Sequence, residues 1–338
     1  LSRSSAASDV YKRQGQNQKW FLFMLKEDVN ISFHNDVKPE FDSYDWVNYW
    51  SPLEKIIYFK KDVYEKVLKG FSEKFTELCF EIALFIVVGI FAGILAGLLG
   101  VGGGSIIVPT LFFVFSWLNF PDATNIQMAI ATSLACIVIT SISSTISHNK
   151  KDGVRWDVFL VLSIGIPIGA FIGVNFIYLV SDLLLKLIIA VFIIYVGISS
   201  FSNKKSEFIE IKSSAPKNIV IGSIIGLLSI PLGIGGGSFC VPYLRMLGFD
   251  IRRAIGTSAA CGITISIAST ILFLVKDSLD SLNPNLGIIY WPAVFWISMS
   301  SVFFTRVGAN LSYRINEELL KKIFGAVIIL LGILLFIN

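Results

Sequence analysis

The same glycine-rich break interrupts this apolar chain twice, and no ordinary helix passes through such a break intact. Gly100-Val-Gly-Gly-Gly-Ser105-Ile-Ile-Val-Pro109 and Gly233-Ile-Gly-Gly-Gly-Ser238-Phe-Cys-Val-Pro242 stand 133 residues apart. Each glycine in a helix interior costs about 0.5–1 kcal/mol relative to alanine, and adjacent glycines open conformations closed to other residues. The surroundings decide what such a break can be. Hydrophobic residues make up 54% of the chain and charged residues 15%, against about 25% charged in a soluble domain. Most of the apolar runs after Leu78 approach the roughly 20 residues that span a bilayer. The runs at 105–118 and 238–248 are too short, and both follow the glycine clusters.

The breaks belong to a longer repeat. Ala131-Thr-Ser-Leu-Ala-Cys136 corresponds to Gly256-Thr-Ser-Ala-Ala-Cys261, Trp156 to Trp291, Gly173-Val-Asn175 to Gly308-Ala-Asn310, and Leu185-Lys186 to Leu320-Lys321, in the same order. Self-similarity in the same order, at offsets of 133, 125 and 135 residues, marks one structural unit used twice. Lys and Arg collect in alternate loops: thirteen lie near 150–155, 204–217, 245–253 and 314–322, whereas 119–125, 181–186 and 276–286 hold Lys186 and Lys276. Basic loops face the cytoplasm. Three spans per half is an odd number, so the pattern predicts an all-α polytopic membrane protein of two inverted repeats. Each repeat has a glycine-broken helical hairpin plus three transmembrane helices. The predicted boundaries are a transmembrane repeat at 78–202, a cytoplasmic linker at 203–216 and a second repeat at 217–338.

Residues 15–77 are expected to form an extramembrane N-terminal segment whose later part is an amphipathic helix on the membrane surface. Leu1 to Gln14 resembles an adapter-derived sequence artefact and is set aside, with a true N-terminus and a signal peptide expected upstream. The lysines at 60–74 run against the predicted orientation, which a lost signal peptide would explain. Cys79, Cys136, Cys240 and Cys261 form no CxxC or CxxH pattern, so they read as packing residues, with no metal site and no cofactor. No basic cluster interleaved with aromatics points to nucleic acid. Glu81 reads as interfacial and His148 as a loop histidine.

Backbone polar groups in hydrocarbon must be satisfied, so a break there faces protein or a watery cavity. Ser105 and Ser238 are placed to cap the half-helices that follow, and Pro109 and Pro242 fall near the first turn. Two half-helix N-termini, each with free N–H groups and a positive dipole end, are read as an anion site; the alternative reading is glycines that only let helices pack closely. Discontinuous helices at matching places in inverted halves are the sequence sign of a transporter's substrate site. The candidate substrate-binding residues are Gly102, Gly103, Gly104, Ser105, Gly235, Gly236, Gly237 and Ser238. Thr132, Ser133, Thr257 and Ser258 join them, either as donors to the anion or back-bonded within their helices. Arg306 is a charge inside a span, with an anion as its natural partner. It stands about 12 Å before Arg314 along a helix, so snorkelling to the interface is an equal reading. Asn175 and Asn310 read as interhelical hydrogen-bonding residues.

GLLGVGGGSIIVP and IPLGIGGGSFCVP, with the downstream ATS and GTS and the GVN and GAN motifs, resemble the sulfite exporter TauE/SafE family of membrane permeases over about residues 78–338. The resemblance implies movement of sulfur-containing anions such as sulfite or organosulfonates. Relatives often carry Gly-Ala-Arg-Leu where this chain has Gly308-Ala-Asn310-Leu, so no role follows for that arginine here. The chain reads as a non-enzymatic secondary transporter in the lipid bilayer, with the plasma membrane favoured and protons a candidate coupling ion. An intramembrane serine hydrolase fails for want of G-x-S-G and an intramembrane histidine. A non-transporting receptor or scaffold using the N-terminal segment is the alternative.

Overall fold

The computed structural model describes residues 58–99, 103–118, 120, 125–201, 214–280, 287–311 and 317–337. Gly102, most of the expected linker at 203–216 and all of 1–57 lie outside them. Contacts divide the chain into two compact units, Leu1–Phe80 and Glu81–Asn338. The described part of the first unit is the opening of a helix, α1, which runs unbroken from Tyr58 to Leu99. The expected surface helix and first span are therefore one element. No proline interrupts it, its first turns are rich in Lys and Glu, and Glu65 pairs with Lys69 one turn on at 2.6 Å.

Nine further helices follow among the described residues: α2 Gly104–Trp117, α3 Asn125–Asn149, α4 Trp156–Leu179, α5 Asp182–Phe201, α6 Ala215–Ser229, α7 Gly237–Met246, α8 Ile251–Asp280, α9 Trp291–Leu311 and α10 Glu317–Ile337. Among the described residues, five helices (α1, α3, α4, α5 and α8) are long and apolar enough to cross a membrane. No strand occurs among the described residues. Repeat-equivalent elements start at equivalent residues: Gly104 and Gly237, Trp156 and Trp291, Asp182 and Glu317.

The packing follows the same equivalence. α3 lies against its own counterpart α8, and α5 against its counterpart α10. Both pairs are antiparallel. Along α3, Ser141 stands beside Gly262 and His148 beside Gly256, so the numbering rises on one helix as it falls on the other. Between α5 and α10, Gly197 meets Gly325 and Ile329, while its counterpart Gly332 meets Ala190 and Ile194, the counterparts of those two residues. Reciprocal contact of this kind is the mark of an isologous interface, here within one chain.

Close approach is built from small residues. Gly165, Gly169 and Gly173 of α4 run parallel to Gly222 and Gly226 of α6; Gly89, Gly93 and Gly97 of α1 run parallel to Ser301, Thr305 and Gly308 of α9. A methyl group on Gly93 would stand 2.6 Å from the Ser301 carbonyl oxygen, and one on Gly169 would stand 2.7 Å from the Leu227 nitrogen. Lipid tails are as apolar as leucine, so helix association inside a bilayer depends on such backbone proximity rather than on burying leucines. The opposite face of α4 carries Leu160, Ile164, Ile168 and Phe171, each more than half exposed. Bulky apolar residues outside and glycines inside invert the pattern of a soluble helix.

Candidate functional site

Both breaks close with the same backbone conformation. Gly103 has φ 75° and ψ −8°, and Gly236 has φ 76° and ψ −5°. This left-handed region costs residues with a Cβ roughly 1–2 kcal/mol. Each glycine carbonyl accepts the first helical N–H groups: Gly103 from Ile106 and Ile107 at 3.1 and 3.2 Å, Gly236 from Phe239 and Cys240 at 3.0 and 2.7 Å. The N–H groups of Gly104 and Ser105, and of Gly237 and Ser238, therefore stand ahead of the intrahelical ladder.

The capping expectation needs correction. The N-cap residues are Gly103 and Gly236, and neither helix has a side-chain cap. Ser105 and Ser238 are already the second helical residue, past the position from which a side chain folds back onto the end. The prolines also sit deeper than expected. Pro109 and Pro242 are the sixth residue of their helices, so each removes a true ladder donor and leaves the carbonyl of Ser105 or Ser238, four residues back, without it.

Ser105 is buried, and its hydroxyl has no hydrogen-bond partner. Ser238 is half-buried. The two breaks touch directly: a Cβ on Gly104 would meet the Gly233 carbonyl, with the Ile234 Cα at 2.9 Å. Ser133 donates to that Gly233 carbonyl at 2.9 Å and so ties α3 to the break of the other half. Ser258 is fully buried and has a partner.

The threonines act across the halves. The Thr132 hydroxyl oxygen accepts the N–H of Tyr290 at 3.0 Å, and that of Thr257 accepts the N–H of Arg155 at 2.9 Å. Tyr290 and Arg155 are repeat counterparts, each the residue before α9 or α4. Each threonine therefore satisfies one unpaired donor at a helix start in the opposite half. Because the threonines act as acceptors, these bonds leave their own hydroxyl hydrogens to donate.

Arg306 is exposed on the side of α9 away from Ser301, Thr305 and Gly308, and the structure does not bring it into the buried polar set at the breaks. Asn175 and Asn310 accept from Lys276 at 3.1 Å and from Lys151 at 2.9 Å. The two lysines are themselves repeat counterparts, so the bonds form a symmetric pair. Lys276 also lies over the Tyr178 ring, 4.2 Å from its centroid.

Two readings from sequence change. His148 is not in a loop: it is buried in the last turn of α3, and its Nε2 lies 3.0 Å from the Gly97 carbonyl oxygen, joining α3 to α1. Glu81 is buried rather than interfacial, and accepts the Tyr290 phenol at 2.8 Å. Burial first, then the Glu81 carboxylate, pushes that phenol above its ordinary range. It therefore remains a donor, with its ring against Phe85, Phe115 and Phe120. Sequence spacing could not have paired residues 209 positions apart.

Sequence reading also passed over Ser141 and Ser229, fully buried serines beside the second break whose hydroxyls lack partners. A signal existed for one of them: Ser229 interrupts an apolar run where the first half has Ala96.

A doubled bundle of apolar helices, each half opened by a glycine-broken helix, defines a polytopic membrane transporter, and comparison with known proteins agrees. The model of the sulfite exporter TauE/SafE family matches residues 85–335, and the chain belongs to that family. It is 37% identical over 242 residues to a protein of Haemophilus influenzae named a probable membrane transporter protein, a match covering 71% of this chain and 92% of the relative. A Methanocaldococcus jannaschii protein of the same description is 26% identical over 243 residues, covering 70% of this chain and 89% of the relative. A different match, 51% identical over 59 residues, is to an RNA pyrophosphohydrolase of Shewanella denitrificans; it covers 17% of this chain and 34% of that protein. No solved structure matches the chain.

Proposed function

We propose that this protein is a secondary transporter for small sulfur-containing anions such as sulfite or organosulfonates, with the anion held between the two broken helices. The observation that carries the reading is the pair of left-handed glycines, Gly103 and Gly236, opening α2 and α7 beside the buried, unpartnered Ser105 hydroxyl. Leading N–H groups and the positive end of a helix dipole favour an anion there. The antiparallel packing of α3 on α8 and of α5 on α10 supports the inverted arrangement, in which one half is turned over relative to the other in the membrane. Rocking of one half against the other then exposes the site to each side in turn. The family membership supports the sulfur-anion class.

The test is flux. Purified protein in liposomes should accumulate radiolabelled sulfite or an alkanesulfonate, and imposing a pH gradient should change the rate if protons are the coupling ion. Gly103→Ala and Gly236→Ala should each reduce flux while the protein still inserts. Absence of flux for sulfite, sulfate and organosulfonates alike would sink the substrate class. Binding without flux would instead favour a receptor or scaffold, a reading that rests on the separate unit before Glu81.

A further inference from the structure

We propose that the two breaks are unequal, and that the second carries the principal pocket, closed by the Ser229 and Ser141 hydroxyls and selective for a singly charged sulfur oxyanion. The inference rests on the reading of the chain as an anion transporter. Ser229 ends α6, immediately before the second break. Ser141 lies in mid-α3 and comes from the other half of the chain. Both are buried to within 1% of full enclosure, and neither hydroxyl has a partner.

Their positions converge. Ser229 Oγ lies 3.4 Å from where a Cβ on Gly236 would stand. Ser141 Oγ lies 2.7 Å from the corresponding point at Gly262, and the Gly235 carbonyl oxygen lies 3.0 Å from that same point. The two hydroxyls therefore both lie close to the break, beside the N-terminus of the ten-residue α7. Native proteins leave few buried polar groups unsatisfied, and an unsatisfied one calls for a water, an ion or a functional role. Two of them at one helix N-terminus mark a place for an acceptor.

The repeat supplies an internal control. The counterpart of Ser229 is Ala96. The counterpart of Ser141 is Ser266, whose hydroxyl donates to the Ile263 carbonyl at 3.1 Å. Helix α2 therefore presents Ser105 without these two companions, and the direct contact of Gly104 with Gly233 places the two breaks side by side. The donors at the second break, two hydroxyls and the leading N–H groups of α7, are all neutral. The cost of desolvating an ion rises with the square of its charge, so these donors hold a singly charged sulfonate or hydrogen sulfite at lower cost than sulfate.

The experiment is calorimetric titration of the purified full chain in detergent with methanesulfonate, and separately with sulfate at matched ionic strength. Methanesulfonate should bind, with sulfate at least about tenfold weaker. S229A and S141A should each weaken methanesulfonate binding by about tenfold, the loss expected for one hydrogen bond to a charged group. S278A, on the exposed end of α8, should leave binding unchanged. Thermal midpoints should match the parent protein; if S141A lowers its midpoint, S229A carries the test, because alanine already occupies the equivalent position in the first half. Full affinity in S229A and S141A overturns the pocket while leaving the transporter reading intact. Sulfate binding as tightly as methanesulfonate overturns the charge selection. Sodium binding that the same variants abolish overturns the anion assignment of the pocket. No binding or flux of any sulfur anion by the parent protein overturns the transporter reading itself.

Discussion

Helix α2 runs fourteen residues and its counterpart α7 ten, although both start on a left-handed glycine with the same dihedral angles to within a few degrees. The difference lies wholly at the far end. α7 stops at Met246, and Gly248, at φ 84°, turns the chain away, with its N–H on the Arg245 carbonyl at 2.9 Å and that of Phe249 on the Leu244 carbonyl at 3.2 Å. This is a glycine-terminated helix end. α2 continues about one more turn, roughly 6 Å, into the aromatic group around Tyr290. The two halves hold their helix starts in common and differ at their helix ends. The starts share one backbone conformation, whereas the ends serve different surroundings.

That equivalence can be broken in graded steps. The largest effect is expected where backbone meets backbone. Gly169→Leu or Gly93→Leu should abolish monodisperse protein, because the new side chain drives α4 from α6 or α1 from α9. Gly70→Ala, with nothing within 4 Å, should leave elution unchanged.

At the breaks, Gly103→Ala should lower the thermal midpoint more than Gly236→Ala. Both pay about 1–2 kcal/mol for the left-handed backbone. The new methyl at Gly103 then meets the Ala92 carbonyl oxygen at 2.8 Å, whereas at Gly236 it meets the movable end of the Ile265 side chain. The reverse order would argue that the first break is the looser of the two.

Thr132→Val and Thr257→Val each strand one backbone donor, at Tyr290 or Arg155, and should cost about 1–2 kcal/mol apiece. Equal losses in chemical or thermal unfolding would sharpen the symmetry; a loss at one position alone would contradict it. The smallest effects belong to the lysine pair. Lys276→Met should cost up to about 1 kcal/mol, since it removes a contact over the Tyr178 ring as well as a hydrogen bond. Lys151→Met, on an exposed chain, should be near neutral.

Much of the architecture was legible because it is written in local patterns. The two breaks, the short helices after them and the paired starts at Trp156 and Trp291 all follow from runs of neighbouring residues. The glycine ladder Gly165-x3-Gly169-x3-Gly173 was equally plain in the sequence, yet its partner was not, because nothing local tells α4 to choose α6. The continuity of α1 was missed because a change of composition near Leu78 looks like a boundary, although nothing in it stops a helix. Arg306 stood out as a charge in an apolar run. Its side chain points outward, and one position of helical phase separates that outcome from a buried one.

Taken alone, the sequence determined that this chain is doubled, apolar, helical and broken twice by glycine, because composition and short-range spacing set backbone freedom and span length. Only the tertiary structure decided which hydroxyls meet the breaks. Ser105 follows its glycine in the chain, but Ser141 reaches the second break from the other half, and Glu81 finds Tyr290 across the molecule. Those partnerships depend on antiparallel packing of α3 on α8 and on backbone contact at the glycine ladders. Such contacts join residues more than fifty positions apart, and no local periodicity encodes them.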